Sequence, residues 1–132
     1  MILISGRALF DTNAASALIR QTSELLSKLA PSCLVLLLLI VVGELFYGAF
    51  HAQIKEAQLA NVRAFIRRTI VVRPDEETAE KYGRIKAEPR VRGAMIPEND
   101  IWIAAITLLS ELPLVTQDQH FANVDGIRVV SW

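Results

Sequence analysis

Short, continuous apolar runs alternate along this chain with longer segments in which apolar residues recur every three or four positions. "ALF" (8–10) has the character of a strand covered on both faces, and "DTN" follows it at once, where Asp11, Thr12 and Asn13 can each cap a helix beginning near Ala14. A second helix is expected over about 22–30, stopped by Pro31. "CLVLLL" (33–38) again reads as a buried strand; the pattern turns helical from Val41 to about Ala52, and another helix runs to about Arg67. "TIVV" (69–72) is short and β-branched, a further strand, and Pro74 with Asp75 opens a helix over about 75–88. Pro89 and Gly93 bracket an expected loop, "PRVRG", that leads to "IPEND". From Asn99 onward Ile101, Ala104, Ala105, Leu108 and Leu109 recur at helical spacing until Pro113, and "LVT" (114–116) and "IRVV" (127–130) are the last strands.

Strands that alternate with helices predict an α/β domain with a mainly parallel sheet, because parallel neighbours need crossover connections. At 132 residues the length is that of one domain able to bury its own core. Ligands of such sheets bind beyond the carboxyl ends of the strands, so that edge is where candidate chemistry belongs.

Composition narrows the picture. A chain 52% hydrophobic and 21% charged is globular rather than disordered, and 14 basic against 14 acidic residues leave no net charge to attract nucleic acid globally. Any such contact must use a local patch. The single cysteine, Cys33, excludes a disulfide framework or a multi-cysteine metal site and fits a reducing, cytoplasmic setting. The apolar stretch at 33–42 is too short for a bilayer, which takes about 20 residues, and the N-terminus lacks the layout of a secretory signal, so no membrane role is expected.

Acids stand at the places the sheet rule marks. Asp11 directly follows the first strand and Asp118 lies just past "LVT"; Asp100 and Glu44 fall in the first turns of their expected helices, Glu44 inside the most apolar stretch of the chain. Each has an ordinary structural reading taken singly: Asp11 as a helix cap, Asp100 as a complement to the helix dipole, Asp118 as a turn residue, Glu44 on a helix surface. Together they change meaning. Clustered carboxylates raise one another's pKa by repulsion, and a hard divalent cation such as Mg²⁺ or Mn²⁺ removes that repulsion, prefers oxygen ligands and promotes phosphoryl displacement.

"FDTN", "GELFYGA", "IPENDIWIAA" and "LVTQDQHF" stand in the order and at the approximate spacing of PIN-domain ribonucleases, and the chain resembles the VapC-type toxins of bacterial toxin–antitoxin modules over nearly its whole length. The resemblance implies a PIN-like, Rossmann-like three-layer α/β/α sandwich over 1–132, a single PIN domain. It also implies an acidic pocket for Mg²⁺ (or Mn²⁺) in which Asp11, Glu44, Asp100 and Asp118 are the catalytic and metal-binding residues. Asn13 and Thr116 match positions that support the pocket through hydrogen bonds. The implied reaction is hydrolysis of an RNA phosphodiester by water, with a cognate antitoxin protein covering the pocket and a homodimer as the usual assembly. The chain departs from the family pattern in three places. Val41, Val42 and Gly43 stand where a Thr or Ser commonly precedes the Glu, Glu111 where Gly is frequent, and Pro89 inside a segment that is commonly one longer helix.

Residues 63–92 hold nine of the fourteen cations, offset in part by five acids. A solvated helix surface is the plain reading; the functional one is a track for RNA phosphate through Arg84, Arg90 and Arg92, which lead toward "END". His51 and His120 are too few for a zinc site of the usual kind, although His120 lies close to Asp118 and is weighed as a substrate contact against a packing role. Trp102 and Tyr47 are expected to pack. Three rivals to the nuclease remain. A haloacid-dehalogenase-type phosphatase would want an Asp where Asn13 stands; a PIN-like module without activity would bind RNA or protein; a membrane-associated regulator would need the 33–42 run.

Overall fold

The structure, a computed structural model, describes residues 3–132. Its apolar runs become β1 (Arg7–Phe10), β2 (Leu34–Leu38), β3 (Ile70–Val72), β4 (Leu114–Val115) and β5 (Val129–Val130), which form one sheet in the order β3-β2-β1-β4-β5. Every neighbouring pair is parallel, with Leu9 opposite both Leu36 and Leu114 at the centre. The crossovers are α1 (Thr12–Ile19) with α2 (Ser23–Leu26), then α3 (Leu39–Phe50) with α4 (Lys55–Arg67), then α5 (Glu76–Ala87), α6 (Pro89–Ala94) and α7 (Glu98–Ser110). A 3₁₀ helix, Gln119–Asn123, joins β4 to β5.

From β1 the chain steps outward to β2 and β3, then returns to the other side of β1 for β4 and β5. Because crossovers of this kind are right-handed, the reversal sends the second set of helices to the opposite face, and the result is a helix–sheet–helix sandwich. The reversal also leaves a crevice beyond the carboxyl ends of β1 and β4. Central position explains the continuous apolar runs: Ala8, Leu9, Phe10, Leu37, Leu38, Leu114 and Val115 are all within 1% of full burial, whereas Ile70 on the edge strand β3 is 45% exposed.

Asp75 caps α5 as the sequence predicts, accepting from Thr78 N–H at 2.9 Å while Thr78 Oγ1 accepts from Asp75 N–H at 3.3 Å. Three boundaries and one burial differ from expectation. The helix foreseen over 22–30 is only Ser23–Leu26, because the backbone of residues 28–30 pairs with Ile4 instead: Ile4 N–H donates to Lys28 and Ala30 N–H to Ile4. α3 starts at Leu39, so Glu44 lies in its second turn rather than its first. "PRVRG" is not a loop. Glu88 is held extended by the following proline, which ends α5, and Pro89 then opens α6 from the first-turn position that proline favours. Tyr47, expected to pack, is 67% exposed.

Candidate active site

β1 delivers Asp11 to the crevice and α1 fixes it there. As the N-cap of α1, Asp11 accepts from Ala14 N–H at 2.8 Å through Oδ1, and through Oδ2 it accepts from the Thr116 hydroxyl. The side chain is 4% exposed. Capping and a place in the cleft are therefore one arrangement, not alternatives.

Thr116 stands just past β4 and is itself buried. Its Oγ1 donates to Asp11 and accepts the backbone N–H of Asp118 at 2.9 Å, so one hydroxyl ties two acids from opposite ends of the chain. Asp118 in turn caps the 3₁₀ helix, accepting from His120 N–H at 2.9 Å. Asp100 projects from the first turn of α7, where the helix dipole favours an anion.

Glu44 reaches the same cleft from α3, held by the Thr12 hydroxyl, which donates to its Oε1 at 2.6 Å. Here the structure supplies what the sequence around Glu44 lacks. A hydroxyl partner comes from α1 across the sheet edge in place of one just before Glu44. Thr12 went unread as a site residue because next to Asp11 it looks like one more cap. Of the two residues expected to support the pocket, Thr116 does so, whereas Asn13 lines the cleft with an exposed side chain and makes no hydrogen bond to the acids.

The cleft has a volume of about 430 Å³ and is lined by all four acids together with Thr12, Asn13, Pro97, Glu98 and Asn99. Glu98, a fifth acid that the sequence did not single out, is bound at the rim by the Tyr82 hydroxyl and by Lys86. Tyr82 stacks on Trp102 with ring centroids 4.3 Å apart.

The electrostatics follow from burial and crowding. Burial pushes the Asp11 carboxyl above its ordinary range; hydrogen bonds from Thr116 and Ala14 oppose the rise, and the charges of Asp118 and Glu44 add to it. Asp100 is pushed up to about 7, first by burial, then by its hydrogen bond to Asp118 and by the charges of Asp118, Asp11 and Glu44. Asp118 goes the other way. Burial works against its ionisation, but His120 N–H, the bond with Asp100 and the nearby His120 ring outweigh it and lower its pKa. Of this pair Asp100 is the acid that keeps its proton to higher pH. A cleft whose carboxylates are crowded and buried in this way has the donor set of a hard-cation site, which fits Mg²⁺ or Mn²⁺.

The basic track is arranged differently from the expectation. Arg90 donates to the carbonyl oxygens of Asn123 at 3.1 Å and Ala122 at 3.4 Å, and pairs with Asp125 at 2.7 Å, so it clasps α6 to the end of the 3₁₀ helix. Arg84 pairs with Glu80 on the exposed face of α5 at 3.6 Å. Arg92 is exposed on α6, and none of the three lines the acidic cleft.

Comparison with known proteins places these observations. The PIN domain pattern matches residues 8–127. Ribonuclease VapC2 of Haemophilus influenzae is 35% identical over 94 residues, which is 70% of this chain and 71% of that protein. The tRNA(fMet)-specific endonuclease VapC of Salmonella typhimurium is 34% identical over 94 residues, with the same coverage of 70% and 71%. Among solved structures, VapBC-1 from nontypeable Haemophilus influenzae superposes with a TM-score of 0.80 at 26% identity, over 96% of this chain and 98% of that one.

Proposed function

The chain belongs to the PIN-domain family, and from that premise we propose that it is a divalent-cation-dependent endoribonuclease, the toxin of a type II toxin–antitoxin pair. The observation that carries the reading is the convergence of Asp11, Glu44, Asp100 and Asp118, from four separate segments, on one cleft at the carboxyl edge of the sheet.

Those four carboxylates would hold Mg²⁺ or Mn²⁺. A bound cation of this type supplies Lewis acidity toward a phosphate oxygen and makes water a competent nucleophile near neutral pH. The protein's own part is placement. Ala14 N–H and Thr116 lock both oxygens of Asp11, Thr12 turns Glu44 inward, and the cap on the 3₁₀ helix fixes Asp118. Water is the nucleophile in this reading, and the one hydroxyl that lines the cleft, Thr12, is engaged with Glu44. Phosphate contacts for RNA belong to the exposed faces of α5 and α6, through Arg84 and Arg92, with Arg90 committed to its clasp.

An antitoxin would silence the enzyme by covering this cleft. A homodimer is the assembly that fits the exposed apolar side chains Leu39, Tyr47 and Phe50 on α3 with Ile54 just beyond it, and light scattering on the isolated protein decides it. Among the described residues no helix is long and apolar enough to cross a membrane. RNA as substrate and the free thiol of Cys33 favour the cytoplasm, and the chain is best treated as a single PIN domain.

The test is cleavage of total cellular RNA by the purified protein with Mg²⁺ or Mn²⁺ and with chelator, beside Asp100→Asn and Asp11→Asn. Discrete fragments that require both cation and carboxylates are expected. Asn can still cap α1, so Asp11→Asn should stay folded while losing cleavage. Cutting at the wild-type rate by either variant would remove the proposed site.

A further inference from the structure

His120 stands behind the lining of this cleft, against Asp118 and Asp100, and has no assigned task. Among the described residues its Nδ1 is the buried side-chain polar atom without a hydrogen-bond partner. It lies 2.8 Å from Asp118 Oδ1 and 4.0 Å from Asp100 Oδ2, yet the near oxygen is out of line for a hydrogen bond from the ring. The nitrogen and one oxygen of each acid fall within 4.8 Å of one another. Donor atoms that share one small cation lie within a few ångströms of one another, as these three do.

The backbone holds the ring in this place. His120 N–H donates to Asp118 Oδ1 at 2.9 Å, and the His120 carbonyl accepts from Asn123 Nδ2 at 3.2 Å, so the residue is pinned on both sides within the 3₁₀ helix. A histidine that served only to pack would be expected to satisfy a buried nitrogen. This one leaves it facing two carboxylates.

We infer that His120 Nδ1 is a ligand, with Asp100 and Asp118, to the cation of this cleft, and that it tilts the site from Mg²⁺ toward first-row transition ions such as Mn²⁺. An all-oxygen cage suits Mg²⁺, which gives up its waters reluctantly; an imidazole nitrogen is a softer donor that transition ions accept more readily. The inference rests on the cation-dependent reading above and adds to it the identity of one ligand and the ion it selects.

Mn²⁺ itself is the probe. Chelator-stripped wild-type protein is loaded with Mn²⁺ and examined by electron spin-echo envelope modulation for coupling to ¹⁴N, and Mn²⁺ and Mg²⁺ affinities are measured by calorimetry for wild type and His120→Asn. A ¹⁴N modulation is expected in wild type and its loss in His120→Asn, with Mn²⁺ affinity down about tenfold or more and Mg²⁺ affinity changed far less. Mn²⁺ bound without ¹⁴N modulation in the wild type overturns the inference while leaving the acidic cation site intact, and this measurement does not depend on the variant folding. Modulation that persists in folded His120→Asn assigns the nitrogen elsewhere and overturns it equally. Failure of the wild type to bind Mn²⁺ at all overturns both this inference and the reading beneath it.

Discussion

Two residues carry unusual weight for their size. Thr116 gives its hydroxyl hydrogen to Asp11 and receives the N–H of Asp118, so Thr116→Val leaves a buried carboxylate oxygen and a backbone N–H without partners. The expected cost is about 1–3 kcal/mol in a denaturant titration, with a fall in turnover well beyond that of a distant core substitution of equal stability cost. Glu111 shows the opposite situation. It ends α7 at φ 56°, in the left-handed region where a side chain is strained and glycine is at ease, and it is one of the places where the sequence departs from the family pattern. Glu111→Gly should therefore stabilise the protein by about 0.5–1 kcal/mol, seen as a melting temperature several degrees higher, with RNA cleavage unchanged.

At the scale of elements, the 3₁₀ helix is the least obvious and the most exposed to test. Asp118 caps its start and Arg90 ties its end to α6 through two carbonyl oxygens and Asp125. Arg90→Ala should raise amide hydrogen exchange across 119–124 by about tenfold or more while β1 and β2 stay protected, because opening becomes local rather than global. Little of this helix can be read from "QHFAN", whose five residues are fewer than two turns and carry no hydrophobic period. The central strands were legible for the contrary reason: β1, β2 and β4 are covered on both faces, and burial writes itself as an unbroken apolar run. Acids at strand ends were legible from connectivity alone. What stayed hidden depended on partners remote in sequence: the shortening of α2 by Ile4, the turn of Thr12 toward Glu44 32 positions away, and the capture of Arg90 by residues 32–35 positions on. "PRVRG" was missed because a proline that ends one helix can begin the next.

For the whole molecule the acidic cleft is a liability without its cation. The folded Asp100 carboxyl titrates near 7, against about 4 in an unfolded chain, so between those values the folded state holds a proton that the unfolded state releases. Stability of the metal-free protein must then fall as pH rises from 5 to 8, by on the order of 2 kcal/mol, and the raised Asp11 carboxyl acts in the same direction. The lowered pKa of Asp118 acts oppositely, but only in acid, below the window in question. Melting temperatures measured with chelator should therefore drop across that range, Asp100→Asn should flatten the drop, and Mn²⁺ should stabilise the wild type more at pH 8 than at pH 5. The sheet order has a different consequence, one of timing. β4 enters last among the strands that build the cleft yet lies beside β1, which was made first, and Thr116 meets Asp11 across 105 positions. While the chain is being synthesised, β1, β2 and β3 can associate, but the segment that brings Asp118, His120 and the Thr116 hydroxyl has not yet arrived. With the site proposed above, an enzyme that cuts RNA would thus be inert for most of its own translation and become dangerous to the cell only when its central gap is filled.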